Sequence, residues 1–197
     1  MTRRFTVLAA ASLCTLLSTA SMPALGVSAR EVAQEEAMPG SKMTRQQVLD
    51  RLSSTTQGKK VSIERGKQLY EEVCAACHIF GETGTSVGPD LTTLSSRFAK
   101  RDVIDSILWP SKTISDQYAV TVFELTDGTY ASGVVIREDA RAVYLKNAEY
   151  LDRPLPVALG RIKERTESTV SLMPEGLVAT HSLDDIDSLV AYVLGGK

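Results

Sequence analysis

Two cysteines and a histidine, Cys74, Cys77 and His78, carry the most specific chemistry in this sequence. Two residues separate the cysteines, and the histidine follows the second one directly, which is the C-x-x-C-H spacing of covalent c-type haem attachment. Thiols three positions apart on a helical turn face the same side, where they can bond the two vinyl groups of one haem. The adjacent imidazole then reaches the iron as an axial ligand. The motif therefore predicts one haem c, attached through two thioethers and ligated by His78.

Two other kinds of site use cysteines at this spacing. A thioredoxin-like C-x-x-C follows a strand in a βαβ pattern, whereas the residues before Cys74 have helical periodicity, with Ile63, Leu69 and Val73 on one side. A structural zinc site needs four ligands, usually from two such pairs, and the sequence contains no second pair. Haem attachment is therefore the favoured interpretation.

The second axial position needs another ligand, and Met173 is the leading candidate. The other four of the five methionines precede the haem motif, in the N-terminal segment and the linker that follows it. Pro174 stiffens the loop that presents the Met173 thioether, and a Met/His pair raises the reduction potential of a haem. His181, the only histidine besides His78, is the rival ligand. A methionine that only fills the core is the remaining alternative.

The first 29 residues have the pattern of a secretory signal peptide. Arg3 and Arg4 precede an uncharged run over residues 5–20, and the segment ends in the small residues Val27-Ser28-Ala29. The uncharged run is shorter than the ~20 residues that a membrane-spanning helix needs, although an uncleaved anchor is the alternative. Cleavage after Ala29 predicts a periplasmic or secreted protein without a stable membrane span.

The overall composition is that of a soluble globular protein, with 43% hydrophobic and 23% charged residues among 197. Domains average ~150 residues, so this length predicts one domain with an appendage. Lysine and arginine total 22 against 24 aspartates and glutamates, a formal net charge of −2. The absence of a basic surplus argues against a nucleic-acid partner.

Helical segments surround the haem motif. Residues 30–60 are polar and predict a linker, with room for a short helix at about 43–52. Apolar periodicity predicts one helix from the N-cap Ser62 into Cys74, a second over 101–108, and a third over about 183–194. Between the first two helices, residues 79–92 are expected to form a loop.

The pattern between Tyr118 and about Ile162 changes to β-branched alternation and predicts a small antiparallel β unit. Its strands are expected at 119–125, 130–136, 141–146 and 155–162, with Asp127-Gly128 as a hairpin turn. A unit of about 45 residues is too small for a substantial core of its own. We expect it to lean on the helical part or on a partner through apolar positions, shielding one haem edge and shaping docking. These positions are Val120, Val122, Val134 and Ile136.

Four further segments resemble a class I cytochrome c. They are Gly66–Tyr70, Gly88–Leu91, Ser171–Leu177 and Leu189–Val193. The resemblance implies that the first and last helices cross, so that Gly66 and Tyr70 pack against Leu189 and Tyr192. It also implies that the Pro89 carbonyl accepts a hydrogen bond from His78, which sets the imidazole tautomer and raises its basicity. An ordinary turn is the alternative for Gly88-Pro89.

More narrowly, residues 61–195 resemble the Planctomycetes/Verrucomicrobia-type haem-binding domain family. The shared features are a helix ending in Ser106–Ser111, Tyr118 before the β unit, the Asp127-Gly128 turn and the late Ser-x-Met-Pro of Ser171–Pro174. This resemblance implies a mainly α cytochrome c fold with an inserted small antiparallel β unit, α+β overall. The haem domain would cover 61–197 and the insertion about 118–164. Arg97, Trp109 and Tyr118 are candidates for contacts with the haem propionates.

These features predict an exported monohaem c-type cytochrome that carries single electrons between partners such as a periplasmic dehydrogenase or terminal oxidase. Related chains often carry this domain beside a large dehydrogenase, so we expect any catalytic activity to belong to a partner and not to this chain. The predicted cofactor-binding residues are Cys74, Cys77, His78, Pro89 and Met173, with His78 and Met173 as iron ligands. A haem-based ligand sensor or interaction module with a displaceable distal ligand is the alternative, and a binding domain without haem is the third interpretation.

Overall fold

The computed structural model describes residues 43–54, 61–150 and 153–195. The helices are α1 (Arg45–Ser53), α2 (Ile63–Leu69), α3 (Lys100–Leu108) and α4 (Leu183–Val193). The strands are β1 (Ile79–Phe80), β2 (Thr83–Gly84), β3 (Val120–Leu125), β4 (Tyr130–Glu138), β5 (Ala142–Lys146), β6 (Leu155–Ala158) and β7 (Ile162–Glu167). The fold is therefore mixed α+β. The predicted signal peptide over residues 1–29 lies outside the described residues, among which no helix is long and apolar enough to cross a membrane.

The helices begin and end where local chemistry directs them. The Ser62 hydroxyl accepts a hydrogen bond from the Arg65 amide at 3.2 Å, and the Ser182 hydroxyl accepts one from the Asp185 amide at 3.1 Å. Each N-cap satisfies an amide that the first helical turn leaves without a partner. The N-cap Ser62 is confirmed, and of Ser182 and Asp184, the two candidates near the start of the last helix, Ser182 is the N-cap. The end of α3 ahead of Pro110 is also confirmed.

Helices α2 and α4 cross with their backbones in contact at Gly66. A Cβ atom built on Gly66 would lie 2.1 Å from the Ser188 carbonyl oxygen and 2.8 Å from the Tyr192 Cβ. One turn later, the rings of Tyr70 and Tyr192 are 5.8 Å apart. The predicted crossing of the first and last helices is therefore confirmed, and only a glycine allows it to be this close.

Helix α1 belongs to the same hydrophobic core as α2, α3 and α4. Val48, Leu49 and Leu52 are buried in this core beside Leu189 and Val193. The short helix predicted at about 43–52 within the 30–60 linker is therefore present, and what the sequence did not predict is its packing into the core. Burial of α1 depends on residues of α3 and α4 that lie far along the chain.

The five-stranded antiparallel sheet has the strand order β6-β5-β4-β3-β7 and lies between α3 and α4 in the chain. One face has its own small core around Phe123, Val143 and Leu145. On the opposite face Val120 pairs with Val134, and both are buried. The Ile136 side chain is 49% exposed, so it is not buried against the helical part, and its contact with a partner stays a prediction.

The end of the sheet differs from the sequence prediction. The single strand expected at 155–162 is two strands, because a 3-10 turn at Leu159–Arg161 separates β6 from β7. Strand β7 pairs antiparallel with β3 on the far side of the sheet. It extends to Glu167, past the expected boundary at 164. Its charged residues Lys163, Glu164 and Arg165 are exposed, so hydrophobic alternation gives no signal for this edge strand.

The closeness of α2 and α4 makes Gly66→Ala a sharp test of the helix crossing. The new methyl group would collide with the Ser188 main chain, so we expect the free energy of unfolding to fall by about 1–3 kcal/mol or more. Urea denaturation measures it. Gly160→Ala is the matched control, because no atom lies within 4 Å of a Cβ at that position. Equal midpoints for both variants would contradict the crossing.

Candidate functional site

The C-x-x-C-H motif begins on a widened turn at the end of α2 and continues on the turn that follows it. Tyr70–Cys74 forms a π-helical turn in which the Ala75 amide donates to the Tyr70 carbonyl at 2.9 Å. The Cys77 and His78 amides then both donate to the Cys74 carbonyl, at 3.0 and 2.9 Å. All three chemistry-bearing residues are thus held by one set of main-chain hydrogen bonds. Neither thiol forms a disulfide.

The pKa values of the two thiols are raised, whereas a thiol–disulfide exchange site needs a lowered pKa. Burial, with a smaller contribution from Cys77, raises the pKa of Cys74 to about 11, and burial also raises the pKa of Cys77. Exchange-active cysteines of the thioredoxin kind have a lowered pKa because the thiolate is the reactive form. The helix before the motif and these protonated thiols both disfavour the thioredoxin-like alternative.

The His78 imidazole is held by the main chain of Pro89. Its Nδ1 atom is 2.7 Å from the Pro89 carbonyl oxygen. A carbonyl oxygen only accepts, so Nδ1 donates and carries the proton. Burial lowers the pKa of His78 and so favours the neutral ring. The hydrogen bond to Pro89 has the opposite, smaller effect on this pKa. The lone pair of Nε2 is then the one that can bind a metal, the arrangement in which an outer hydrogen bond orients a histidine ligand.

Gly88 provides the flat surface against which the imidazole packs. A Cβ atom at Gly88 would lie 2.6 Å from the His78 Cε1 and about as near to both ring nitrogens, at 3.0 and 3.1 Å. The amides of Val87 and Gly88 also donate to the Cys77 carbonyl, at 3.0 and 2.7 Å. The sequence placed Gly88 in a segment that resembles a class I cytochrome c, with an ordinary turn as the alternative, and this packing role was not predicted. Its position directly before the hydrogen-bond acceptor Pro89 was the available signal.

The buried Tyr70 supports the main chain of His78 from behind. Its hydroxyl lies 2.7 Å from the His78 carbonyl oxygen and 2.9 Å from that of Thr83, and its single proton is shared between these two acceptors. Burial raises the pKa of Tyr70 to about 12, so the donor proton is retained. Gly84, with φ of +107°, passes so close to the His78 carbonyl that a side chain there would collide with it. The sequence indicated only a packing role for Tyr70, and the hydroxyl contacts were not foreseen.

Met173 and His181 both lie in the loop between β7 and α4. The Met173 side chain is half-buried, and its amide donates to the Ser171 hydroxyl at 3.1 Å. The His181 amide donates to the Val178 carbonyl just before α4 begins. The hydrogen bonds described above join Cys74, Cys77, His78 and Pro89 in one site, whereas Met173 and His181 lie on a separate loop. Ligation by the Met173 thioether stays a prediction.

The propionate candidates lie on the segments that follow this site. Arg97 reaches back to the Asp90 carbonyl at 3.4 Å, next to Pro89. Trp109 lies at the end of α3, with the Lys112 ammonium 5.7 Å from its ring centre. Their contact with propionates stays a prediction.

A family model described as cytochrome c matches residues 63–121. The matched segment covers α2, Cys74, Cys77, His78, Pro89, α3 and the first residues of β3. It supports a c-type cytochrome, which binds haem and transfers electrons, as the broad class of this domain. The narrower family resemblance stays a prediction. No curated protein matches the chain at a significant level.

The hydroxyl of Tyr70 can be tested without the cofactor. Tyr70→Phe keeps the ring packing but removes the donor to the His78 and Thr83 carbonyls, so we expect a loss of about 1–3 kcal/mol in the free energy of unfolding. Chemical denaturation monitored by circular dichroism measures this loss. Tyr130→Phe is the control, because Tyr130 is 68% exposed. Equal stability of the two variants would show that the hydroxyl contacts contribute nothing.

Proposed function

We propose that this chain is an exported monohaem c-type cytochrome that carries single electrons between redox proteins. The cytochrome c match over residues 63–121 supports the class. The observation that carries the proposal is the His78 ring, whose Nδ1 is held by Pro89 while Nε2 is left for iron, on the same turn as two thiols. In this proposal the domain has the α+β organisation expected from the narrower family resemblance, with the sheet inserted between α3 and α4.

The residues of this site fit a covalently attached haem. Cys74 and Cys77 would form the two thioethers, each by net addition of its S–H across one vinyl group. Gly88 lets the imidazole lie flat, and Pro89 orients it and keeps Nε2 basic. When bound, haem c supplies reversible one-electron chemistry at its iron. The protein sets the ligands, the burial and the partner-facing surface.

Met173 is proposed as the second axial ligand. The described residues contain two methionines, of which Met43 packs against the helical core and Met173 lies in the loop before α4. A thioether stabilises the reduced iron and so raises the potential. With His78 and Met173 both holding the iron, no position on it would be left for a substrate, and this favours electron transfer over catalysis.

The proposed location is the periplasm or the outside of the cell, supported by the signal-peptide pattern at residues 1–29. The proposed partners are redox proteins such as a periplasmic dehydrogenase or a terminal oxidase, with catalysis in the partner.

Covalent haem attachment is tested by expressing the full chain in an exporting host with a c-type haem maturation system. We expect the mass of one haem on the purified protein and haem staining after denaturing electrophoresis. Cys77→Ser should leave at most one thioether and shift the α band of the reduced protein to the red, because a vinyl group stays conjugated. A wild-type mass without haem would overturn the proposal.

Distal ligation is tested by Met173→Ala in the haem-loaded protein. We expect loss of the weak red charge-transfer band of methionine–iron bonds, a lower reduction potential, and ready binding of CO by the reduced protein, because the soft thioether is gone. Met43→Leu and His181→Asn are the controls and should keep the wild-type spectrum. A wild-type spectrum in Met173→Ala with an altered one in His181→Asn would assign the ligand to His181. CO binding by the unaltered reduced protein would favour the sensor alternative.

A further inference from the structure

The loop that carries Met173 is held by two serines in series. The Ser171 amide donates to the Ser111 hydroxyl at 3.1 Å, across 60 positions of sequence. The Ser171 hydroxyl in turn accepts from the Met173 amide at 3.1 Å. Ser171 therefore uses its amide toward the helical part of the molecule and its side chain toward Met173. Both serines lie in segments of the family resemblance, Ser106–Ser111 and Ser171–Pro174, but the sequence assigned neither of them a role.

Ser111 offers a firm anchor because the turn around it is tied to α3. The Lys112 amide donates to the Trp109 carbonyl at 3.0 Å, and the Lys112 ammonium binds the Asp105 carboxylate at 2.8 Å. Trp109 itself packs against the helical core. Ser111 thus connects the Met173 loop to the same hydrophobic core in which α2 packs.

The backbone of Met173 is restricted on both sides. Its amide is bound by the Ser171 hydroxyl, and the ring of Pro174 disfavours helical dihedral angles for the residue before it. Farther along, Glu175 pairs with Arg45 of α1 at 2.6 Å. Leu172 lines a cleft of about 390 Å³ beside β4 and the β5–β6 connection. Of these contacts, the Ser171 hydroxyl is the one that hydrogen-bonds the Met173 main chain, and Ser111 holds Ser171 through its amide.

We propose that Ser111 and Ser171 are positioning residues that keep the Met173 thioether on the haem iron. This inference rests on the proposed function, because it requires Met173 to be the distal ligand. The serines touch neither haem nor iron in this role. They reduce the freedom of the loop, so that the thioether competes better with an external ligand for the iron.

The hydrogen bonds from the Met173 amide to Ser171 and from the Ser171 amide to Ser111 form a relay. Imidazole competition on the oxidised, haem-loaded full chain tests the role of this relay. Imidazole displaces the thioether and abolishes the red charge-transfer band, so its apparent affinity reports how firmly Met173 is held. We expect Ser111→Ala and Ser171→Ala each to raise the apparent imidazole affinity about three- to tenfold, the worth of one hydrogen bond. The Ser171 amide still donates to the Ser111 hydroxyl in Ser171→Ala, so the double variant loses a second hydrogen bond and should bind imidazole more tightly than either single variant.

Two matched variants separate positioning from general stability. Ser111→Thr keeps the hydroxyl and should bind imidazole like the wild type. Ser106→Ala removes a hydroxyl of α3 that bonds only its own helix, at the Asp102 carbonyl, and should also leave the affinity unchanged. Thermal unfolding is measured in parallel. Lower melting temperatures with wild-type imidazole affinity in both alanine variants would make the serines merely structural and overturn the relay.

Failure of the relay is distinguishable from failure of the proposed function. If the wild-type protein shows the methionine band and loses it in Met173→Ala, while the serine variants bind imidazole normally, the relay alone is wrong. If the wild-type protein carries haem but lacks that band, methionine ligation and the relay are both wrong, and haem attachment stands. If no haem attaches, the proposed function falls as well.

Discussion

The hydrogen bond from His78 Nδ1 to the Pro89 carbonyl is the contact on which the rest of the site depends. It assigns one ring nitrogen to the protein and leaves the other available, which is the condition for a histidine to act as an oriented ligand. The bond forms only because the 87–89 loop is tied to the haem motif by its amides on the Cys77 carbonyl. It also needs Gly88, since any Cβ there would occupy the space of the imidazole. The ring is therefore positioned by main-chain atoms, which are less mobile than side chains.

The helical core keeps this arrangement in place from behind. The contact between Gly66 and Ser188 brings α2 against α4, and the rings of Tyr70, Phe80 and Tyr192 fill the space below the crossing. The Tyr70 hydroxyl also hydrogen-bonds the His78 carbonyl, while Pro89 holds the ring of the same residue. One aromatic side chain therefore connects the helix crossing with the main chain of the histidine.

The sheet has a small core of its own and also contacts the loops that build the site. It buries Phe123, Val143 and Leu145 in a core of its own, and it also contacts the segments on which the site is built. The Lys146 ammonium of β5 donates to the Ser86 carbonyl, two residues before Gly88. On its other side, β7 leads directly into the loop of Met173, where the Ser168 amide donates to the Val120 carbonyl at 2.8 Å. The sheet thereby braces both the loop that orients His78 and the start of the loop that carries Met173.

Local chemistry is what the sequence by itself determined about this protein. The thiol spacing, the N-caps Ser62 and Ser182 and the Asp127-Gly128 turn involve residues within a few positions of one another, so their patterns are visible along the chain. The acceptor role of Pro89 came from a family resemblance. Only the tertiary structure decided that α1 packs into the core and that the charged segment Ile162–Glu167 pairs with β3. It also decided that the His78 ring packs against Gly88 and that the Ser171 amide donates to Ser111. Each of these depends on atoms brought together by folding from distant or irregular segments. Polarity and periodicity along the chain do not predict such contacts, because burial and hydrogen-bond partners depend on how the chain packs.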